Sequence, residues 1–211
     1  MRQIHRVAIA ALACSAATAP FIGGLSTAQA NRGDVVADLS PVALNGVQGG
    51  GTAWVAVHGT RIDVTMGASG LLSDAPHAAH IHFGAQARHE CPAATDDSDG
   101  SGTLNTTEGA PAYGPIVVSL TKTGDTSPAS GLAVDRFDTA PGGNLSYQRG
   151  HIKVSQDVAK AITEGQAVVV IHGVDHNHSG AYDGATPSDL DSSLPTEATD
   201  PALCGALVPQ H

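Results

Sequence analysis

The sequence contains few of the residues on which many cores and binding surfaces depend. Only 3% of its residues are aromatic, and it has 10 basic residues against 20 acidic ones. The core therefore has to be built from Val, Ile, Leu and Ala, and 25 glycines indicate many tight turns. The shortage of basic residues argues against binding to nucleic acid or to an anionic membrane, so we expect neither as a partner.

Long apolar runs are confined to the start of the chain. Two arginines precede an alanine-rich apolar stretch at residues 7–22, and an Ala-Gln-Ala sequence that fits the small-x-small cleavage rule follows it. Residues 1–30 are therefore predicted to be a secretory signal peptide, and residues 31–211 a single secreted or extracytoplasmic domain without a membrane span. Cys14 lies in a poor match to a lipoprotein box, so lipid anchoring is the less favoured alternative.

Removal of the predicted signal peptide changes the counts of charged residues and cysteines. Two of the 10 basic residues lie in it, which leaves eight basic and 20 acidic side chains and a net charge of −12. Cys14 is lost as well, and Cys91 and Cys204 remain. In an oxidising compartment, an even pair of cysteines favours a disulfide over free thiols.

Short runs of strand-forming residues recur along the rest of the chain, separated by clusters of Gly, Pro, Asn, Asp and Ser. They predict an all-β fold, an antiparallel barrel or sandwich, with one short helix at residues 155–164 and long loops. His58-Gly59-Thr60 between two runs predicts a hairpin. The predicted strands are 52–58, 61–66, 79–83, 116–121, 131–136, 151–154 and 167–172.

Two separated segments carry histidines at a spacing that suits a metal site. His80 and His82 are two residues apart, so in a strand they lie on one face. His172 ends a strongly apolar run, and a histidine that closes a second strand can supply a third ligand. The alternative is a polar network in which these histidines share hydrogen bonds and close one end of the barrel. Candidates for a fourth ligand are His89, His176 and His178.

The sequence around these residues resembles the copper-zinc superoxide dismutase superfamily, in the branch that includes CHRD domains and related exported bacterial proteins. The similarity covers residues 48–208, and its specific motifs are HIHFG, VVVIHGVD and PALCGAL. The resemblance implies an eight-stranded Greek-key β-barrel. It also implies a set of functional residues: copper ligands His80, His82 and His172, and a disulfide between Cys91 and Cys204.

The chain departs from that family in two places. No histidine lies between Cys91 and Ile116, where the family has its bridging histidine and its zinc ligands, so we do not expect a zinc site of the family type. Pro201 stands where the family places an arginine that guides the anionic substrate. These departures favour a non-catalytic exported metal-binding protein, or one with a degenerate copper-only site. The alternative is a copper-dependent superoxide dismutase.

Residues 97–108, DSDGSGTLNTTE, fit the twelve-residue calcium loop of an EF-hand. Gly102 falls at position 6, where the loop turns sharply, and Leu104 fills the apolar position 8. The flanking sequence does not predict a helix pair, so we expect a calcium loop outside an EF-hand. The alternative is a solvated acidic loop. The predicted calcium ligands are Asp97, Asp99, Ser101, Thr103, Asn105 and Glu108.

A second segment, residues 175–186, repeats part of this pattern. Gly180 falls at position 6, but Tyr182 occupies the apolar position and Thr186 the position of the chelating glutamate. The competing prediction is that the two histidines of this segment bind a transition metal together with His172; one loop cannot fully serve both kinds of ion. The predicted calcium ligands here are Asp175, Asn177, Ser179 and Asp183.

Overall fold

The computed structural model describes residues 34–210, and nine strands in this range form a single antiparallel sheet. The strands are β1 (Asp34–Pro41), β2 (Gly50–His58), β3 (Arg61–Ser69), β4 (Ala79–His82), β5 (Ile116–Ser119), β6 (Leu145–Lys153), β7 (Val168–His172), β8 (Pro201–Ala206) and β9 (Val208–Pro209). The two α-helices are α1 (Thr106–Tyr113) and α2 (Gln156–Thr163). This confirms the predicted all-β class.

The sheet is curled into a half-barrel. Its strands follow the order β5-β4-β7-β8-β1-β2-β3-β6, and β9 pairs with β1. The two edges of the sheet are joined by side chains: Tyr147 and Arg149 of β6 donate hydrogen bonds of 3.3 and 2.6 Å to the carbonyl of Thr121, just beyond β5. Within the described residues no strand pairing joins β5 to β6, so these side-chain hydrogen bonds link the two edges of the sheet.

The strands form where apolar residues alternate with polar ones, because successive side chains in a strand point to opposite faces. In β3, the buried residues are Ile62, Val64, Met66 and Ala68, and the residues between them face outward. β1 alternates in the same way. Burial of each large apolar side chain contributes about 1.5–3 kcal/mol, so this pattern determines which face of the sheet packs on the core.

Strand β7 is buried on both faces. Val169 and Ile171 pack in the main core inside the curl, whereas Val168 and Val170 pack against a smaller cluster that contains Leu104. This second cluster lies on the opposite face of the sheet and also includes Tyr113 at the end of α1 and Cys204 of β8. A layer of long connections therefore covers the outer face of β7. His172, the last residue of this strand, lies beneath that layer.

The predicted disulfide is confirmed. Cys91 is bonded to Cys204, and 113 positions separate the two cysteines in the sequence. Cys204 lies in β8 opposite Val170 of β7. The bond therefore attaches the long connection that follows β4 to the middle of the sheet.

Several predicted elements are confirmed. His58 pairs with Arg61 across Gly59 and Thr60, as the hairpin prediction requires. The side chain of Ser155 accepts a hydrogen bond from the N–H of Val158 and caps α2. No helix within residues 34–210 is long and apolar enough to cross a membrane. The predicted signal peptide lies outside the described residues.

The secondary-structure predictions are wrong in three respects. They contain no strand where β1, β8 and β9 lie. Residues 131–136 form turns and a short 3-10 helix instead of a strand, because their apolar side chains line a cavity and do not alternate across a sheet. The prediction of one short helix missed α1, which lacks a strong apolar periodicity and contains Pro111. A capping box of Asn105 and Glu108 begins this helix and satisfies its first backbone N–H groups.

Replacement of both Cys91 and Cys204 by alanine is expected to lower the free energy of unfolding by about 3–5 kcal/mol, because the disulfide closes a long loop in the unfolded chain. Urea unfolding at neutral pH measures this difference. Reduction of the unaltered protein should produce a loss of similar size. A loss below about 1 kcal/mol in both experiments would show that the long connection is held by its other contacts.

Candidate metal centre

Three histidines lie together on the outer face of the sheet. His80 and His82 of β4 point away from the main core, since Ala79 and Ile81, which alternate with them along the strand, belong to it. His80 pairs with Val170 of the neighbouring strand β7, and His172 lies two residues farther along β7 on the same face. The i, i+2 spacing and the strand register thus bring the three predicted ligands together.

Each of the three rings has one nitrogen hydrogen-bonded to a backbone carbonyl. His80 Nε2 donates to Gly131 over 3.1 Å, His82 Nδ1 to Gly114 over 2.8 Å, and His172 Nδ1 to Thr199 over 2.7 Å. The carbonyls come from three connections, namely the segment after β5, the end of α1, and the loop between β7 and β8. A carbonyl only accepts, so each bond places the ring proton on that nitrogen.

The other nitrogen of each ring has no hydrogen-bond partner. These atoms are His80 Nδ1, His82 Nε2 and His172 Nε2, and all three are buried. One nitrogen from each ring lies within 4.8 Å of the other two. Because the proton of each ring is on its opposite nitrogen, each of the three clustered imidazoles keeps one free lone pair.

Burial keeps these three histidines neutral. Loss of hydration lowers the pKa of His82 to about 3 and that of His172 to about 4, and it lowers the pKa of His80 well below its ordinary value. For His80 and His82, repulsion between the neighbouring imidazoles acts in the same direction. Neutral imidazoles with free lone pairs are the form of histidine that binds a metal.

Gly114 is required at the position that orients His82. Its φ angle is +85°, which disfavours any residue with a side chain, and a Cβ there would approach the backbone nitrogen of Gly84 to 2.8 Å. The close approach places the carbonyl of Gly114 against the imidazole of His82. Tyr113 precedes it, and its ring centroid lies 4.5 Å from that of His82.

The histidines considered as a fourth ligand lie elsewhere. His89 donates from Nε2 to the carbonyl of Gly84, and His176 donates from Nε2 to the carboxylate of Asp200 over 2.8 Å. His178 is exposed. The structure therefore brings none of these three into the group formed by His80, His82 and His172, and it does not support a transition-metal site formed by the second loop's histidines with His172.

The first acidic loop brings its carboxylates together. Oxygens of Asp97, Asp99 and Glu108 lie within 4.8 Å of one another. Gly102 has a φ angle of +84°, in keeping with the sharp turn predicted there. Glu108 is buried in spite of its charge, and its two oxygens accept hydrogen bonds from backbone N–H groups of the loop.

The other predicted residues of the first loop are joined by hydrogen bonds within the loop. The hydroxyl of Ser101 and the carbonyl of Thr103 are 3.2 Å apart, and Asn105 accepts a hydrogen bond from the N–H of Glu108. Asn105 and Glu108 thus also cap α1, so this loop leads directly into a helix, as the second half of an EF-hand does.

The second acidic loop has the same hydrogen-bond pattern. Asp175 accepts from the N–H groups of Ser179 and Gly180, as Asp97 does from those of Ser101 and Gly102. Gly180 again has a positive φ angle, of +86°. The remaining predicted residues, Asn177 and Asp183, are joined to each other by a hydrogen bond of 2.9 Å.

Sequence reasoning missed Glu197, which takes the place that Glu108 has in the first loop. Its Oε1 accepts from the N–H groups of His176 and Asn177, and its Oε2 from that of Asp183. Glu197 is 1% exposed and lies in a 3-10 turn beyond the loop. Thr186, at the twelfth position, instead accepts a backbone hydrogen bond from Thr196. A glutamate outside the twelve-residue window leaves no signal in the loop sequence.

No protein-family model matches the chain, and no curated protein matches it. We therefore infer the function from the geometry of the histidine cluster and of the two acidic loops.

The metal-free protein is expected to lose stability as the pH falls from about 6.5 towards 4. In the unfolded chain histidines titrate near 6.5, whereas His82 and His172 stay neutral in the folded protein down to about 3 and 4. The unfolded state then binds more protons, so the free energy of unfolding falls by about 1.4 kcal/mol per pH unit for each such histidine.

Urea unfolding of EDTA-treated protein at pH 7, 6 and 5 measures this slope. A free energy of unfolding that does not change between pH 7 and pH 5 would contradict the buried, neutral state of the cluster.

Proposed function

We propose that this protein is an exported metal-binding protein of superoxide-dismutase-like Greek-key fold, with copper held by His80, His82 and His172. The observation that carries the proposal is the arrangement of these rings: the three imidazoles are clustered, one nitrogen of each has no partner, and a backbone carbonyl fixes the opposite nitrogen of each. Metal-binding histidines in proteins are typically held in this way by a second hydrogen bond.

The hydrogen bonds favour a metal over a polar network. In a network the rings would donate to one another, but each ring donates to a carbonyl, and the three facing nitrogens have no partner. An unsatisfied buried polar group costs about 1–3 kcal/mol, so three together represent a substantial loss of stability. Coordination to one cation would satisfy all three.

Copper is the ion that this ligand set favours. Imidazole nitrogens suit copper, zinc, iron and nickel, and among divalent first-row ions Cu²⁺ binds a given nitrogen site most tightly. Bound copper would supply redox chemistry between its two oxidation states. The zinc site implied by the family needs histidines that this chain lacks between Cys91 and Ile116.

Binding of copper is favoured over superoxide dismutation. No lysine or arginine is among the described residues that line the cavity beside the histidines. Pro201 at the start of β8 takes the place of the family's guiding arginine. An anionic substrate would approach a protein of strongly negative net charge without a local cation to raise its encounter rate.

Two calcium ions are proposed to stabilise the long connections. Each acidic loop offers aspartate, asparagine or serine oxygens and one buried glutamate, which are hard ligands that suit calcium. The first loop uses Glu108 and the second uses Glu197. The backbone hydrogen bonds to both oxygens of each glutamate hold it against its loop. The predicted secretion is compatible with this function, since extracellular calcium is plentiful and the disulfide suits an oxidising compartment.

Copper content tests the proposal. Protein purified from an oxidising compartment, stripped with EDTA and reloaded with copper and zinc together, should retain about one copper ion per chain by elemental mass spectrometry. His80→Ala should lose it, since two imidazoles hold copper much less tightly, and Glu108→Gln should keep it. Calcium is added back after the EDTA step, and uptake of calcium by His80→Ala shows that this variant is folded. Absence of copper from the unaltered protein, or its retention in His80→Ala, would contradict the site.

Calcium binding is expected to raise the thermal midpoint. At a free calcium concentration about 100 times Kd, each site adds about 2.7 kcal/mol to the free energy of unfolding. Glu108→Gln and Glu197→Gln should each reduce the calcium content from about two ions per chain to about one. Each should also reduce the calcium-dependent rise in the thermal midpoint. Glu164→Gln, an exposed acid at the end of α2, is the matched control and should change neither quantity. Equal midpoints in calcium and in EDTA would contradict both sites.

A further inference from the structure

A cavity of about 550 Å³ opens beside the histidine cluster, and the rings of His80, His82 and His172 form part of its wall. Its volume lies within the range of sites that enclose a small organic ligand. Helix α1, the segment after β5 and the connection between β7 and β8 supply the rest of the wall. The larger apolar side chains that line it are Ile116, Leu132, Val134, Leu190 and Leu194.

The cavity provides no counter-charge for an ionic ligand. None of the described residues that line it is Lys, Arg, Asp or Glu. A carboxylate lies at its edge, because Asp189 accepts a hydrogen bond from the N–H of the lining residue Thr107. A bound copper ion would attract an anionic group at its own open position only. The remainder of a ligand would contact apolar walls, where a charge would lose its hydration without compensation.

Exposed apolar surface is concentrated at this cavity. Among the described residues, six large hydrophobic side chains are exposed, and three of them line the cavity: Leu132 at 40%, Val134 at 41% and Leu190 at 47%. They belong to two connections that are far apart in sequence. Clustered exposed apolar residues mark a binding site more often than scattered ones do.

We propose that this cavity binds a small uncharged organic molecule whose apolar body contacts Leu132, Val134 and Leu190 and whose single neutral donor atom coordinates the copper. The inference rests on the proposed copper site and names the class of small molecule that would bind there. The apolar walls account for the body of the ligand, and copper held by the three imidazoles that line one side of the cavity would have an open position for the donor atom.

Titration of the copper-loaded protein with two probes tests the inference. 4-Phenylimidazole and imidazole offer the same donor, but only the first has an apolar body. Changes in the visible and electron paramagnetic resonance spectra of Cu²⁺ report binding of each. We expect 4-phenylimidazole to bind at least about tenfold more tightly than imidazole, because its phenyl ring moves from water into the apolar cavity. Equal affinities would overturn the inference.

Two variants separate the cavity from general hydrophobicity. Leu132→Asp should leave the copper content and the affinity for imidazole unchanged and remove the preference for 4-phenylimidazole. Leu44→Asp, at an equally exposed leucine that is not among the lining residues, should keep the preference. A preference that survives Leu132→Asp would overturn the inference. Copper content, measured first, distinguishes the two proposals: a chain without copper contradicts both, and a copper-loaded chain without the preference contradicts only the ligand class.

Discussion

Three hydrogen bonds from imidazoles to backbone carbonyls determine what the histidine cluster can do. The carbonyls of Gly114, Gly131 and Thr199 each accept a hydrogen bond from one ring N–H, and the other nitrogen of each ring is left unprotonated and without a partner. Without these bonds the rings could rotate or form hydrogen bonds with one another. Their nitrogens would then not be free to coordinate a metal. The site therefore depends on connections that lie far from the histidines in sequence.

The fold brings those connections to the site by covering the outer face of the sheet. Strand β7 packs on the core with one face and on the second cluster with the other, so its end at His172 is enclosed from both sides. The disulfide attaches the covering layer to β8. The acidic loops lie in the same layer: Glu108 belongs to α1, which supplies Gly114, and Glu197 lies two residues before Thr199. Ion binding in the loops would thus hold two of the three carbonyls in place.

Much of the sheet and the identity of the clustered histidines could be predicted from the sequence. The i, i+2 spacing places His80 and His82 on one face whatever the rest of the fold, and the apolar run before His172 can only be a buried strand or helix segment. The two-residue hairpin at Gly59 and the cap at Ser155 follow from local chemistry in the same way.

The features that sequence could not supply are those set by tertiary contacts. Glu197 reaches its loop from a separate turn, so no spacing within the loop indicates it. Residues 131–136 look like a strand because their apolar residues resemble those of a core, but these side chains line a cavity. Helix α1 carries glycine and Pro111 and depends on its capping box and on packing, which propensity does not reveal.

In the proposed site, three imidazoles bind one copper ion. Pulsed electron paramagnetic resonance of Cu²⁺-loaded protein with ¹⁵N-labelled histidine counts the coordinated imidazoles directly. For the proposed site we expect three coordinated imidazoles, those of His80, His82 and His172. Coupling to one imidazole or to none would place the copper elsewhere and contradict the account.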